Sequence, residues 1–598
     1  MKVKIDLERD NNLTPFGIAT VQDRYLDKNE TSPQHAFARA SKYGATYRGK
    51  TDWDMAQRLY DYASNLWFGF SSPILSNAGT KKGLPISCFL NYVPDSRGGL
   101  SSHYDENIWL ASNGGGIGGY WGDVRSDGTS TSHGSKSTGS IPFMRVVDSQ
   151  MLAFNQGTTR RGSYACYMDI SHPEIEEFLF MRKSSGGDAN RKCLNLHHGI
   201  NITDEFMNAV TKNIDWKLID PHSKKVAKSI NARELWRLIL ETRHETGEPY
   251  LHFVDTSNKS LPETQKKLGL SIKQSNLCSE ITLPTDEDRT AVCCLSSVNL
   301  AKYDEWSTSP TFIPDMVRML DNVLEHFIQA TYDFSYDYKG EVLDMKVKEG
   351  MEGFTKAGYS AYRERSLGLG AMGFHTYLQK LNVPFEGPIA TGQNLKMFKQ
   401  IKELANKTSM ELAEERGEAP DMEGTGMRNA HLLAVAPNAT SSIICGGTSP
   451  SIEPIRANVF IHKTLNGSFQ VRNRQLHNLL KQKWNNSEEL QKEYDSDYQH
   501  FKDKIWQSIS ENTGSVKHLD FLTDLERDVF KTADEIDQNW IIEHASKRQE
   551  FICQAQSVNL FFVAPRVQAK QEEHDNFLRY TNKVHYQAWK KGLKSLYY

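Results

Sequence analysis

The sequence predicts an α/β protein with parallel strands, on three observations. Short apolar segments at 250–254, 441–445 and 557–563 alternate with stretches of helical periodicity at 232–243, 315–333 and 394–416. Glycine, serine and threonine displace the apolar periodicity at 114–139 and 155–163, which marks two loops able to hold a ligand. Hydrophobic residues make up 38% and charged residues 24% of 598, a globular composition on a chain long enough for a substantial core. At about 150 residues per domain the length suggests about four domains, although one large α/β barrel can absorb most of it.

The elements follow in order. Residues 51–69 read as an amphipathic helix, with Thr51 and Asp54 as a capping pair and Met55, Leu59, Tyr60, Ala63, Leu66 and Trp67 on one stripe. Residues 1–70 are therefore expected to be a helical N-terminal segment, and 71–598 the main α/β unit. Within it, 470–550 is polar and rich in Gln, Lys, Asp and Glu, which predicts a small helix-rich subdomain at the surface. The sequence contains no internal repeat and no low-complexity linker.

Charge and composition exclude several function classes. Lys and Arg number 71 against 74 Asp and Glu, for a net charge of -3, so no broad basic footprint is available for nucleic acid. The first ten residues mix both charge signs and lack the apolar core of a secretory signal, and no apolar run reaches the roughly 18 residues of a membrane span. Eight cysteines are too few for a disulfide scaffold, and none lies in a CxxC pattern. A reducing cytoplasm is the expected location, with any cysteine chemistry catalytic.

The run Asn113-Gly114-Gly115-Gly116-Ile117-Gly118-Gly119 formally contains GxGxxG. Its flanks, helical at 104–111 and loop-like at 121–139, are the wrong context for a dinucleotide fingerprint, so the expected role is close backbone approach to a ligand. His244-Glu245 and the pair His197-His198 have no partner at metal-ligand spacing such as HExxH and read as surface or packing residues. Pro437-Asn438-Ala439-Thr440-Ser441-Ser442, followed by Gly446-Gly447, is either an ordinary Ser/Thr turn or a phosphate cradle. In Asn276-Leu277-Cys278-Ser279-Glu280 an amide, a thiol and a carboxylate occupy alternate positions, which in an extended segment share one side. A buried cysteine is commonly a small hydrophobe, but an amide and a carboxylate beside it are costly to bury without a task.

Together these segments resemble the large catalytic subunit of class I ribonucleotide reductase, over residues 13–598. The resemblance is carried by Ser72-Pro73-Ile74-Leu75-Ser76-Asn77-Ala78-Gly79-Thr80, Ser87-Cys88, the glycine cluster 114–119, Asn276-Leu277-Cys278-Ser279-Glu280-Ile281, Ala291-Val292-Cys293-Cys294-Leu295-Ser296, the 437–442 turn, Ser449-Pro450-Ser451-Ile452-Glu453-Pro454, and Tyr597-Tyr598 at the end, in shared order. It implies a ten-stranded α/β barrel of two parallel five-stranded halves, threaded by a central finger loop. It implies reduction of ribonucleoside diphosphates, with Cys278 as the thiyl radical that takes the ribose 3′ hydrogen, Glu280 as general base on the 3′ hydroxyl, and Asn276 orienting the sugar. Cys88 and Cys293 match the reducing pair. Because neighbours on a strand face opposite ways, Cys294 is assigned to packing, as are Cys166, Cys193, Cys445 and Cys553, which match no catalytic position.

The resemblance also implies that Tyr597 and Tyr598 carry a radical inward from a small metal-containing subunit. Substrate contacts fall on Ser72, Ser87 and Gly116 near the nucleoside and on Pro437, Asn438, Ala439, Thr440 and Ser441 at the diphosphate. A specificity effector, a deoxynucleoside triphosphate or ATP with Mg2+, is expected at a homodimer interface on Asp95, Ser96 and Arg125, with Gln156 and Arg160 reporting its identity to the substrate base. No covalently bound cofactor and no metal held by this chain are expected. Two departures from the family pattern imply a pared-down enzyme: no N-terminal ATP-cone domain precedes the barrel, and the chain stops at the tyrosine pair without the tail of two cysteines. The expected reductant is then thioredoxin, glutaredoxin or a separate tail-bearing polypeptide. Two alternatives compete: an adenosylcobalamin-dependent class II reductase, which the tyrosine pair opposes, and a non-catalytic nucleotide-binding homologue, which the full set of site residues opposes.

Overall fold

The computed structural model describes residues 2–86, 88–154, 162–336, 342–464, 467–566 and 568–598. The chain opens with helices α1 (Pro15–Arg24), α2 (Pro33–Gly44) and α3 (Trp53–Ser64). Asp52, and not the expected Thr51 and Asp54 pair, caps α3 by accepting the Met55 N–H at 2.9 Å. The helix also stops short of residue 69. Leu66 takes a left-handed φ of 62°, and the chain turns into strand β1 (Phe68–Phe70).

The next five strands are β2 (Cys88–Tyr92), β3 (Gly116–Tyr120), β4 (Ser163–Asp169), β5 (His197–Ile202) and β6 (Tyr250–Phe253), all parallel. Helices α4 (Arg97–Ser112), α5 (Ile141–Ala153), α6 (Ile175–Phe180) and α7 (Ala232–Thr246) form the crossovers that parallel pairing requires. The second half starts with β7 (Ala291–Asn299), which runs antiparallel to β2 over its first residues and pairs parallel with β8 (Leu367–Met372) further on. The run then passes to residues 432–435 and 554–557, through the parallel bridges Leu369 to Leu433 and Val435 to Gln556. It ends at β9 (Ser595–Leu596), antiparallel to β6. The Tyr597 N–H donates to the Val558 carbonyl at 2.8 Å, which closes the sheet into a barrel of two parallel halves.

Side-chain alternation sorts residues between the barrel interior and the outer core. Cys88, Leu90, Ala291 and Cys293 cluster inside, while Phe89, Val292 and Cys294 belong to the large outer core under the helices. That outer core centres on the helix α8 (Phe312–Thr331), buried on most of its circumference. Its Asp321 receives Arg365, Arg416 and Arg428, and together they outweigh the burial that would raise its pKa and hold it well below the usual carboxylate range.

Two local expectations fail. The glycine cluster, expected as a loop, supplies the central strand β3, because tertiary pairing on both sides overrides the weak strand preference of glycine. The apolar run 441–445, expected as a strand, belongs to a short helix, α10, which follows α9 (Pro388–Arg416) and spans Ala439–Ile444. It packs against α1, and a run this short has no periodicity to distinguish the two states. Residues in the 470–530 region form their own small core around Leu476, Trp484, Phe501 and Trp506.

Candidate active site

Residues 274–283 pass through the barrel as a finger loop. Gly118 on β3 makes room for it: a Cβ there would lie 2.0 Å from the Ser275 carbonyl oxygen. Gln274 Nε2 donates to the carbonyls of Asn91 and Gly118 at 2.9 and 3.2 Å, and the Tyr167 hydroxyl donates to the Asn276 carbonyl at 2.8 Å. From the opposite wall, the Ala555 N–H donates to the Glu280 carbonyl at 2.9 Å and Ser595 Oγ to the Ser279 carbonyl at 2.7 Å. Ser557 Oγ donates to the Cys278 carbonyl. The tip is a turn and not the extended segment considered from the sequence: the Ser279 N–H donates to the Asn276 carbonyl at 3.2 Å, and Ser279 has φ of 63°. A buried polar loop is tolerable here because these donors satisfy its carbonyls.

The tip projects into a cavity of about 420 Å³. Cys88, Cys278, Glu280 and Tyr597 line one side. Ser72 and the turn residues Pro437, Asn438, Ala439, Thr440 and Ser441 line the other, with the first turn of α10 facing the space. Asn438 takes φ of 56° at the cap, and its Oδ1 accepts from Ser297 Oγ at 2.9 Å. Gly116 is the register partner of Cys88, and its neighbours Asn113 and Gly114 reach the cavity wall. Ser87 lies outside the described residues.

Cys88 and Cys293 are register partners across β2 and β7, and both are thiols. Asn276 Nδ2 donates to Cys88 Sγ at 3.8 Å, and Gln554 Nε2 to Cys293 Sγ at 3.5 Å. Burial pushes the Cys293 thiol well above its ordinary value, although the Gln554 hydrogen bond opposes the shift. Cys293 therefore stays protonated at neutral pH. Cys553, assigned to packing from the sequence, has a different environment. Burial raises its pKa, but Lys402, the Leu433 and Leu432 N–H groups at 3.2 and 3.1 Å, and Lys594 outweigh burial and lower it.

The Tyr597 and Tyr598 rings are in contact, tilted by 51° with centroids 4.2 Å apart. Burial raises the Tyr597 pKa, with the Cys278 charge and hydrogen bonding to Cys278 and Tyr598 adding to the shift. The two phenols thus lead from the partly exposed Tyr598 to the thiol at the finger tip. Sequence reasoning missed Tyr250, His197 and Glu248 on the tyrosine side of the site, Gln554 on Cys293 and Ser557 on Glu280. The His197-His198 pair was visible, but its acidic partner is contributed by a neighbouring strand connection, and spacing cannot reveal that.

At another part of the barrel, Arg125 Nε pairs with Asp95 at 2.9 Å, and the Ser96 hydroxyl caps α4 by accepting the Gly99 N–H. These three expected effector contacts are thus brought together. Gln156 and Arg160 lie outside the described residues.

Comparison with known proteins gives a consistent picture. The family model described as the ribonucleotide reductase barrel domain matches residues 86–425 and 419–598, and the all-alpha domain model of the same family matches 11–83. A protein of Frog virus 3 (isolate Goorha) is 47% identical, covering 91% of this chain and 87% of its own length. The ribonucleoside-diphosphate reductase large subunit of Invertebrate iridescent virus 3 is 41% identical, over 100% of this chain and 95% of that protein. Among solved structures, the class Id ribonucleotide reductase alpha subunit of Actinobacillus ureae superposes with a TM-score of 0.80 at 32% identity, over 100% of this chain and 98% of that one.

Proposed function

The chain belongs to the ribonucleotide reductase large-subunit family, and from that premise we propose a radical mechanism centred on Cys278. The protein is the catalytic subunit of a ribonucleoside-diphosphate reductase, an oxidoreductase that forms 2′-deoxyribonucleoside diphosphates and works with a small subunit. The observation that carries the mechanism is the convergence of Cys278, Cys88, Glu280 and Tyr597 on one cavity, with Cys293 in register beside Cys88.

In the proposed cycle the Cys278 thiyl radical takes the ribose 3′ hydrogen atom while Glu280 accepts the 3′ hydroxyl proton, a step that needs both groups within reach of one sugar. Asn276 orients the sugar. A thiol of the Cys88 and Cys293 pair protonates the departing 2′ hydroxyl, which leaves as water, and the pair supplies two electrons and closes as a disulfide. The hydrogen atom then returns to the 3′ carbon, regenerating the thiyl. A dithiol, such as that of thioredoxin, glutaredoxin or a tail-bearing polypeptide, reopens the disulfide by exchange.

The 437–441 turn with the α10 backbone receives the diphosphate, and Ser72, Ser87 and Gly116 are assigned to the nucleoside. Tyr598 and Tyr597 pass the radical inward from a small metal-containing subunit. A deoxynucleoside triphosphate or ATP, carried with Mg2+, acts as specificity effector at Asp95, Ser96 and Arg125 in a homodimer, and Gln156 and Arg160 relay its identity. Effector and substrate affinities are then coupled reciprocally. The product supplies DNA replication, and the reducing cytoplasm suits an enzyme that depends on thiols. No helix among the described residues is long and apolar enough to cross a membrane.

The decisive experiment measures deoxynucleotide formation by the chain with its small subunit and dithiothreitol, with and without each effector. Product that requires the small subunit supports the mechanism. Activity with adenosylcobalamin alone would replace it.

A further inference from the structure

Tyr250 packs against both tyrosines, with ring centroids 4.8 Å from Tyr597 and 5.3 Å from Tyr598. The Tyr250 hydroxyl lies 3.0 Å from the Tyr598 hydroxyl and 3.2 Å from His197 Nδ1. That same Nδ1 is 2.5 Å from Glu248 Oε1. The second carboxylate oxygen accepts the His198 N–H at 3.1 Å and contacts His198 Nδ1 at 3.0 Å and Arg182 Nε at 3.3 Å.

The donor and acceptor inventory fixes the order of protons along this chain. Burial pushes the Glu248 carboxyl up, but hydrogen bonds from His197 and His198 outweigh it and hold it well below the usual carboxylate range. An ionised carboxylate only accepts, so His197 must carry its proton on Nδ1. Tyr250 meets that N–H as an acceptor, which leaves its one hydroxyl proton for Tyr598. Burial, with the Glu248 charge next in size, raises the Tyr250 pKa well above its ordinary value, so the donor keeps its proton.

We infer that Glu248, His197 and Tyr250 are positioning residues that set the direction of the hydrogen bonds along the tyrosine route, making Tyr598 an acceptor from Tyr250. This rests on the radical route proposed above. When Tyr598 loses an electron and its phenolic proton to the radical source of the small subunit, its oxygen radical takes a hydrogen atom from the Tyr597 hydroxyl. One O–H bond breaks and one forms. The Tyr597 oxygen radical then takes the hydrogen atom of the Cys278 thiol, breaking S–H and forming O–H, and the thiyl results. Both transfers need hydrogens that point outward, from Cys278 to Tyr597 to Tyr598. Were Tyr250 free to accept, the Tyr598 proton would be drawn sideways and Tyr598 would lose this fixed polarity.

The test uses the holoenzyme with dithiothreitol and a saturating effector. His197→Ala, Glu248→Gln and Tyr250→Phe are expected to lower kcat about tenfold or more, by analogy with loss of the carboxylate that fixes a histidine tautomer. KM for the diphosphate is expected to stay within about twofold, since none of these residues lines the substrate cavity. His197→Asn, whose side-chain N–H replaces Nδ1–H, is expected to recover most of the rate. Tyr250→Phe keeps the ring and decides the matter if His197→Ala does not fold. An unchanged kcat in Tyr250→Phe, beside an inactive Tyr598→Phe, overturns the inference and leaves the radical route standing. An active Tyr598→Phe overturns the radical route itself.

Discussion

Cys88 and Cys293 face each other in register across two antiparallel strands, with Asn276 bonded to the first sulfur and Gln554 to the second. An antiparallel register pair places its two Cα atoms about 4.5–5.5 Å apart, within the span that a disulfide bridges. Replacing either cysteine with serine is expected to stop multiple turnover, a fall of more than about a hundredfold on the scale of lost general acid catalysis. Peptide mapping after one turnover with substrate, effector and the small subunit, with no dithiol, should find one disulfide joining these two positions in the wild-type chain. A disulfide elsewhere, or none, would contradict the assignment.

Cys278→Ala is expected to abolish turnover and leave substrate binding nearly unchanged, because in the proposed mechanism the thiol carries a radical and adds little binding energy. Equilibrium binding of a diphosphate substrate and product formation, measured on the same preparation, separate the two. Measurable deoxynucleotide from this variant would end the thiyl mechanism.

Gly118→Ala places a methyl group where the Ser275 carbonyl of the finger loop lies. The loop must shift or the strand must bend, at a cost of roughly 1–3 kcal/mol on the scale of overpacked cores. Thermal unfolding should detect the loss, and kcat should fall further than stability alone explains, since Cys278 moves with the loop. A variant with wild-type kcat would show that the tip is positioned independently of β3.

Glu364 gives a pH signature remote from the cavity. Burial and the charge of Asp421 push its carboxyl up from 4.5 to about 8, against Arg289 and hydrogen bonds from Gln265 and Ser360. The folded state holds this proton more tightly than the unfolded state. The contribution is therefore fully present below about pH 4.5 and is lost as pH rises through about 8. Glu364→Gln removes this ionisation, so its stability relative to wild type should climb between pH 5 and 8, as read by chemical denaturation. A constant difference across that range would contradict the shift.

The sequence by itself determined what is local or periodic. It gave the α/β class, the amphipathic N-terminal helix, the ordered motifs that carry the family resemblance, and the separation of Cys293 from Cys294, which follows from strand alternation alone. Tertiary structure decided what depends on partners distant in the chain. Gly116–Tyr120 is a strand only because β2 and β4 flank it, since a glycine-rich run has little strand preference of its own. The short apolar run before Cys445 became a helix through packing on α1. Residues 276–280 carry the right side chains at legible spacing, but the turn that aims them forms because Tyr167, Ala555, Ser557 and Ser595 bind successive carbonyls from opposite walls of the barrel. The Glu248, His197 and Tyr250 chain is likewise invisible in one dimension, because a hydrogen-bond direction is set by which groups meet in space and a residue list does not contain that meeting.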